Sequence, residues 1–304
     1  ISQILQYSEG FNSGYVVNME RAENSIVSAI YSLEQECDKS INEVTMSLSG
    51  AGVKSYYMNN KIKLNNQLIS EQDISKLINK TLSEFKIKDQ EIVHFFPLEF
   101  IVNGDRSVEN PIGMYTKEVS CQLHIISADS LMLMNLTKCL AKCHVEVNDI
   151  VVSIYASALA CLSKDEKELG SIVIDIGSNT TSFGIFLNNK MAYVNHVPIG
   201  SMNITRDIAK AFSINLNLAD KLKILYGHAN PNLLIKNTVI NFDNLDIGNN
   251  NRPDISITEM QLARIIHSRI ESILLEVKKQ CSNISMDHLI ASSVVITGGG
   301  SGLP

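Results

Sequence analysis

The sequence predicts an α/β protein with mixed sheets. Three short apolar strands follow one another at 171–176, 182–187 and 191–196, with tight turns at 177–180 and 188–189 between them. Helical patterns, in which apolar residues recur three and four positions apart, come before and after this group. Strands that are grouped in threes and joined by helices indicate an α/β class.

The other elements are assigned in chain order from periodicity and end signals. We predict helices at 19–36, 71–85, 129–142, 149–162, 202–212, 216–226 and 258–281. We predict strands at 43–48, 91–102, 118–126 and 293–297, and an extended stretch at 53–57. A polar, charged hairpin is predicted at 163–168, and the asparagine-rich stretch 241–251 is predicted to be a surface loop.

The composition argues against two classes of function. The 304 residues are 45% hydrophobic and 19% charged, with a net charge of −6, and the basic residues are scattered. We expect no nucleic-acid partner, because neutralising phosphates needs clustered Lys and Arg. No apolar run reaches the length of about 18 residues that a membrane-spanning helix needs.

The six cysteines lie in apolar, mostly helical patterns without a Cys-x-x-Cys pair. Cys139 and Cys143, followed by His144, are one helical turn apart and could offer metal ligands. Because no second ligand pair follows at a usable spacing, buried thiols on one helix face are the favoured interpretation. Reduced thiols indicate a cytoplasmic compartment.

The first candidate binding motif is an apolar strand with an acid near its end, followed by a turn of small polar residues. Gly177 and Ser178 let the chain approach a ligand, so that backbone N–H groups can point at phosphate oxygens. Asn179 and Thr180 add side-chain donors, and Asp175 is placed to hold a hydrated Mg²⁺ beside the phosphates. The alternative is an ordinary hairpin, although an acid inside an apolar strand costs stability unless it is paired.

The second candidate motif is a hydrophobic strand that opens into Gly298, Gly299 and Gly300, followed by Ser301. Consecutive glycines let a flat ring lie directly on the backbone, where a Cβ atom would clash. The alternative is a flexible turn.

Together these motifs, about 120 residues apart, resemble the nucleotide clamp of the actin, Hsp70 and sugar-kinase superfamily. The resemblance implies a two-lobed, actin-like (ribonuclease H-like) α/β fold that binds ATP and Mg²⁺. It also implies that Asp220 and Lys223 contact the adenosine, as an acid-x-x-Lys pair does in these folds. The alternative for this pair is an exposed ion pair between residues three apart on a helix.

Within that superfamily, the sequence is similar to the FtsA family of bacterial cell-division proteins over essentially its whole length. The matching motifs are Leu-Ser-Gly at 48–50, His-Phe-Phe-Pro-Leu-Glu-Phe at 94–100, Asn-Pro-Ile-Gly-Met at 110–114, Leu-His-Ile-Ile at 123–126, Asp-Glu-Lys-Glu-Leu-Gly at 165–170, Val-Pro-Ile-Gly at 197–200 and Asp-Ile-Ala-Lys-Ala-Phe at 207–212. The resemblance adds Gly200 to the nucleotide-binding residues and implies a small inserted α+β domain of the FtsA type.

The domain division that the resemblance implies has four parts. They are a partial first lobe (1–51 and 128–169), the inserted domain (52–127), a second lobe (170–200 and 273–304) and a helical subdomain over the nucleotide (201–272).

The function implied by the resemblance is mechanical. An ATP-binding protein would polymerise head to tail and tether the FtsZ ring to the cytoplasmic face of the inner membrane at the division site, where it would recruit other division proteins. The C-terminal tail of FtsZ would dock on the helical subdomain near 265–269. Arg269 is the candidate contact for this acidic or polar tail, and the alternative is a surface arginine on an amphipathic helix.

Four departures from the family pattern limit these expectations. The first phosphate hairpin and the C-terminal membrane-binding helix of FtsA are absent, and the chain begins without methionine or a signal-peptide pattern, so we expect it to be part of a longer protein. The second hairpin has Asn179 and Ser182 where many relatives have glycine and an acid. Tyr155 to Ala158 stand where Hsp70-like enzymes have a catalytic carboxylate, so we assign no catalytic residue and expect at most a weak ATPase.

Two other classes of function remain open from the sequence. The residues from Asp175 to Thr180 also resemble phosphate loops of exopolyphosphatases and sugar kinases, which need a base in the cleft. The pilus-assembly protein PilM shares the actin fold and the inserted domain, and would bind the N-terminal peptide of a membrane partner instead of the FtsZ tail.

Overall fold

The computed structural model describes residues 2–50, 52–241, 256–282 and 293–304. The chain divides into two compact units. Unit 1 consists of Ile1–Val173, Gly184–Asn195 and Ala291–Val294, and unit 2 consists of Ile174–Phe183, His196–Ile290 and Val295–Pro304. The four-part division expected from the sequence stays a prediction.

The helices are α1 (Met19–Cys37), α2 (Glu71–Glu84), α3 (Ser130–Ala141), α4 (Ser153–Cys161), α5 (Lys164–Leu169), α6 (Ser201–Phe212), α7 (Leu216–Tyr226) and α8 (Glu259–Ser282). The strands are β1 (Phe11–Asn12), β2 (Tyr15–Val16), β3 (Glu43–Leu48), β4 (Val53–Leu68), β5 (Gln90–Val102), β6 (Arg106–Val108), β7 (Tyr115–Asp129), β8 (Glu146–Val152), β9 (Ser171–Ile176), β10 (Thr181–Leu187), β11 (Lys190–Val197) and β12 (Ser293–Thr297). In the described parts of the chain, the strands form the sheets β1-β2, β3-β8, β4-β7-β5-β6 and β11-β10-β9-β12. None of the helices in these parts is long and apolar enough to cross a membrane.

The antiparallel sheet β4-β7-β5-β6 of unit 1 is built around β7, which pairs with both β4 and β5. Val119, Leu123 and Ile125 alternate along β7 and are completely buried, so one face of the sheet forms a core. Helix α2 packs on β4 and β7, and Leu77 of this helix is buried in the same core. The extended stretch predicted at 53–57 is therefore only the start of a longer strand.

A parallel pair, β3-β8, replaces the first part of a predicted helix. The sequence predicts a helix at 149–162, whereas the structure has β8 up to Val152 and begins α4 only at Ser153. The prediction was wrong there because Ile150, Val151 and Val152 are β-branched and pair with β3. The pairing partner lies about a hundred residues earlier, which local periodicity does not reveal.

The predicted hairpin at 163–168 is also wrong, because this segment forms helix α5. Ser163 is the N-cap residue, and its hydroxyl accepts a hydrogen bond from the Glu166 N–H (3.3 Å). The Glu166 carboxylate accepts hydrogen bonds from the Ser163 N–H (2.9 Å) and O–H (2.8 Å), which completes a capping box and lowers the pKa of Glu166.

Unit 2 has its own apolar core, formed where α6, α7 and α8 pack together. Its fully buried side chains include Ile208 of α6, Leu222 of α7 and Ile266 of α8. The predicted helix at 216–226 and the predicted strands at 43–48, 171–176 and 293–297 are confirmed with the same ends. Of the predicted loop at 241–251, all but Asn241 lies outside the described residues.

Candidate functional site

All thirteen predicted site residues belong to unit 2. Asp175 lies on β9, one residue before the strand ends, and is half-buried. The Gly177 N–H donates to the Thr180 carbonyl (2.9 Å), which closes a tight turn directly after the strand. Ser178 at the tip of this turn is exposed. The turn therefore presents short polar side chains to solvent beside a carboxylate, as a phosphate-binding turn requires.

The turn rests on the beginning of helix α6. The Ser201 N–H donates to the Gly177 carbonyl (2.8 Å), and the Met202 N–H donates to the Ser178 carbonyl (2.8 Å). A Cβ atom on Gly200 would lie only 2.5 Å from the Ser178 carbonyl oxygen. Gly200 therefore allows the close approach of turn and helix. The turn thus occupies the N–H groups of Ser201 and Met202 at the start of α6, and Gly200 packs directly against the turn.

The glycine cluster after β12 lies against β9. Gly298 has φ of +86°, and a Cβ atom on it would overlap the Oδ1 atom of Asp175. A Cβ atom on Gly300 would overlap the side chain of Ile176. By contrast, a Cβ atom on Gly299 would meet nothing within 4 Å beyond its chain neighbours, among the residues that the structure describes. The lack of side chains at Gly298 and Gly300 thus allows the two sequence motifs to pack against each other, while the backbone at Gly299 is left uncovered by the described side chains.

Ser301 shapes the end of this cluster. Its N–H (3.0 Å) and its hydroxyl (2.7 Å) both donate to the Gly298 carbonyl. The segment Gly299–Gly302 forms a short 3-10 helix. The regular 3-10 helix differs from the flexible turn that the sequence left open as the alternative for this cluster.

Asp220 and Lys223 form the ion pair that their spacing predicts, but the lysine is not exposed. Lys223 Nζ lies 2.6 Å from Asp220 Oδ1, and the Lys223 side chain is only 13% exposed. Lys223 Nζ also donates to the hydroxyl of Thr205 on α6 (2.8 Å), and that hydroxyl donates to Asp220 Oδ1 (3.1 Å). These contacts join α7 to α6. Thr205 was not predicted as a site residue. The one feature of the sequence that points to it is that it is a polar residue on the apolar face of a predicted helix.

Arg269 lies in a groove between α6 and α8. The groove has a volume of about 740 Å³ and is lined by Asp207, Lys210, Ala211, Arg264, Ile265, Ser268, Arg269 and Ser272. Arg269 Nε donates to Asp207 Oδ2 (2.6 Å) and Nη2 donates to Asp207 Oδ1 (3.1 Å), and this hydrogen bonding raises the pKa of Arg269. The basic residues Lys210 and Arg264, which were not predicted as site residues, give the groove three cationic side chains against one carboxylate.

Direct metal ligands are not clustered in the described parts of the chain, where no group of three or more His, Cys, Asp or Glu residues could hold an ion. A magnesium ion beside Asp175 would therefore have fewer than three such side chains from these parts as ligands, and its other ligands would be water and phosphate oxygens, which is usual for Mg²⁺ with nucleotides. Cys139 is buried, and burial raises the pKa values of both Cys139 and Cys143. Neutral thiols of this kind fit the packing interpretation better than metal ligation.

Sequence comparison finds matching families along most of the chain. The profile of the family described as Cell division protein FtsA matches residues 172–303, and that of the SHS2 domain inserted in FtsA matches residues 50–127. Cell division protein FtsA of Borreliella burgdorferi is 31% identical over 301 residues, which is 98% of this chain and 72% of that protein. Cell division protein FtsA of Rhizobium meliloti is 26% identical, over 98% of this chain and 68% of that protein.

Structural comparison shows the fold. A PilM-PilN type IV pilus biogenesis complex matches with a TM-score of 0.57 and 16% identity, over 96% of this chain and 72% of the matched chain. MreB5 of Spiroplasma citri bound to ADP matches with a TM-score of 0.53 and 13% identity, over 97% and 68% of the two chains. These likenesses, together with the inserted domain, confirm the predicted actin-like α/β fold. The sequence relatives show the family as well as the fold: the chain belongs to the FtsA family of cell-division proteins.

Proposed function

We propose that this chain binds ATP with Mg²⁺ and acts, within an actin-like division protein, as the part that links nucleotide binding to the capture of FtsZ. One observation carries the proposal of ATP binding: the carboxylate of Asp175 meets the backbone of Gly298 directly beside the 177–180 turn. A turn of small polar residues for the phosphates, an acid for Mg²⁺ and a bare glycine backbone for the base thus lie together in unit 2.

Each part has a separate role in the proposed complex. Backbone and side-chain donors of Ser178, Asn179 and Thr180 bind phosphate oxygens, and Asp175 holds Mg²⁺ through water. The open backbone at Gly299 accepts the flat base. Lys223, held by Asp220 and Thr205, is a preformed donor for the adenosine. The structure of MreB5 bound to ADP supports a nucleotide in a related fold.

We propose binding without efficient hydrolysis. None of the residues named above is placed as a general base for water, and we assign no catalytic residue. At most a weak ATPase activity follows. Steady phosphate release would instead favour a phosphotransfer enzyme of the exopolyphosphatase or sugar-kinase type, which is the enzymatic alternative.

The groove between α6 and α8 is the proposed site for the C-terminal tail of FtsZ. Its three basic side chains, Lys210, Arg264 and Arg269, outnumber the single carboxylate of Asp207, so the groove favours an acidic segment. Ile265 adds an apolar contact in the same groove. Family membership supports the wider proposals of head-to-tail polymerisation, attachment to the cytoplasmic face of the inner membrane and recruitment of other division proteins.

A pilus function is the second non-enzymatic candidate, because the PilM-PilN complex has the same fold. A likeness at 16% identity supports the fold and does not extend to function, whereas the relatives at 31% and 26% identity are cell-division proteins. The peptide that the groove binds distinguishes the two candidates.

Two titrations of the whole chain test the proposal. The first measures binding of a fluorescent ATP analogue with Mg²⁺ and with EDTA, and we expect saturable binding that Mg²⁺ strengthens. The second measures fluorescence anisotropy of a labelled FtsZ tail peptide, with a scrambled peptide and a PilN-type N-terminal peptide as controls. We expect the FtsZ tail alone to bind, and Arg269→Glu to weaken it at least about tenfold by reversing the charge. Binding of the PilN-type peptide instead would overturn the division assignment.

A further inference from the structure

The ion pair between Asp207 and Arg269 has a geometry that affects what the groove can bind. Asp207 lies on α6 and Arg269 on α8, and both side chains are 28% exposed. The two contacts, from Nε to Oδ2 (2.6 Å) and from Nη2 to Oδ1 (3.1 Å), use the Nε side of the guanidinium. Such a two-point contact between planar groups fixes the plane of the arginine as well as its position.

This contact leaves one particular side of the guanidinium for a ligand. Asp207 uses neither N–H group of Nη1 and only one of the two on Nη2. One N–H group of Nη1 and the second N–H group of Nη2 therefore form another fork of parallel donors. Since Arg269 lines the groove, a carboxylate in the groove can be bound at two points by this remaining fork. Without Asp207, the long arginine side chain would have to be ordered by the ligand itself, at a cost in conformational entropy.

We propose that Asp207 is a positioning and specificity-determining residue of the groove. Asp207 holds Arg269 so that the guanidinium binds a peptide carboxylate only through its Nη1–Nη2 side. The inference rests on the proposed binding of the FtsZ tail and adds the residue that makes this binding selective. It also predicts that removing the Asp207 carboxylate has the opposite effect on peptide selectivity from the one that the change in charge alone would have. Removing the Asp207 carboxylate makes the groove more positive, yet the groove should discriminate less well between acidic and neutral peptides.

Measurements at high salt distinguish the effect of the groove's overall charge from the effect of holding Arg269 in position. At about 1 M salt the Debye length is about 3 Å, so general attraction between the groove and an acidic peptide is screened while direct contacts persist. The affinity ratio of two probes, the labelled FtsZ tail peptide and the same peptide with every Asp and Glu replaced by its amide, then measures recognition of the carboxylate.

The variant that tests the proposal is Asp207→Asn. Asparagine has nearly the same shape, but it offers one acceptor oxygen and places an NH₂ group against the arginine. Glu271→Gln is the matched control, because it also turns a carboxylate into an amide and removes one negative charge, at an exposed position of α8 that does not line the groove. At about 1 M salt we expect the wild-type chain and Glu271→Gln to prefer the acidic probe about tenfold, as one charge-assisted contact gives. We expect Asp207→Asn to reduce this preference to about twofold or less. An undiminished preference in Asp207→Asn would overturn the proposal.

A second readout needs no peptide. In nitrogen NMR spectra, the Nε–H signal of Arg269 is assigned by its disappearance in Arg269→Lys. This signal should be protected from exchange in the wild-type chain and in Glu271→Gln, and it should be lost in Asp207→Asn. If the wild-type chain binds neither probe, the FtsZ proposal fails and this signal alone decides whether Asp207 positions Arg269. An unprotected signal in the wild-type chain would overturn the positioning role whatever the peptides do.

Discussion

Gly298 lies directly against the carboxylate of Asp175, and the contact leaves no room for a Cβ atom between the two residues. Two sequence motifs that are more than a hundred residues apart thus meet at one point of unit 2. The contact distinguishes the roles of three consecutive glycines that look equivalent in the sequence. Gly298 and Gly300 are needed for packing, whereas a Cβ atom at Gly299 would approach no described residue other than its chain neighbours within 4 Å.

Gly299→Val should weaken ATP binding without unfolding the chain. Apart from the neighbouring residues, no atom in the described parts of the chain lies within 4 Å of a Cβ atom at this position, so we expect the valine to disturb a bound base more than the packing of the chain. We expect a loss of at least about tenfold in ATP affinity, or about 1.4 kcal/mol, by titration of a fluorescent analogue. Gly302→Val is the matched control, since that position is equally open. Equal ATP affinities in both variants would show that the base does not lie on Gly299.

Gly298→Ala should instead destabilise the fold. The φ of +86° disfavours any residue with a side chain, and the new methyl group would overlap the Asp175 side chain. We expect the free energy of unfolding to fall by about 1–3 kcal/mol in urea titrations, and Gly299→Ala to change it by less than about 0.5 kcal/mol. Equal stabilities of the two variants would contradict the packing role of Gly298.

Asp175→Asn should remove the effect of Mg²⁺ on ATP binding. The amide keeps the size of the carboxylate but loses the charge that holds a hydrated cation. We expect the variant to bind ATP equally with Mg²⁺ and with EDTA, and with the same affinity as the wild-type chain in EDTA. A variant that still binds ATP more tightly with Mg²⁺ would exclude Asp175 as the residue that holds the ion.

Stability should depend on pH through His124, which is completely buried in unit 1. Its Nδ1 lies 2.7 Å from the Met191 carbonyl and its Nε2 lies 3.0 Å from the Ser55 hydroxyl. Burial lowers the pKa of His124 from 6.5 to about 4, so the unfolded chain binds the proton more readily than the folded one. The stabilising effect of the neutral ring is therefore complete above pH 6.5 and is lost as the pH falls towards 4.

The measurement is the free energy of unfolding at pH 7 and pH 5 for the wild-type chain and for His124→Gln. Burial lowers the pKa values of His94 and His196 as well, so both proteins lose stability on acidification. The loss should be about 2 kcal/mol larger in the wild-type chain, because only that chain has to protonate position 124 on unfolding. Equal losses in the two proteins would mean that His124 is already protonated in the folded chain at pH 5.

The elements that the sequence predicts best are those with a strong local signal. The helix at 216–226 has an Asn215 cap and ends before Gly227, and both signals lie directly beside the segment in the sequence. The strand at 171–176 is a short apolar run bounded by turn residues. In contrast, β8 was predicted as helix because its strand partner β3 is remote in the sequence. The Ser163–Glu166 capping box was a local signal that was present and overlooked.

In the candidate site, too, some features can be identified from the sequence and others depend on the tertiary structure. The residue types of the phosphate turn and the glycine cluster can be identified from the sequence, because a phosphate and a flat base each need a particular backbone. The sequence also determines the class of fold and the family, since the motifs recur at matching points along the chain. Tertiary structure alone decided that Gly298 and not Gly299 contacts Asp175, that Thr205 holds Lys223, and that Asp207 pairs with Arg269 from 62 residues away. The physical reason is that conformational preference acts between neighbours in the chain, whereas close packing and ion pairing depend on distances that only the folded chain sets.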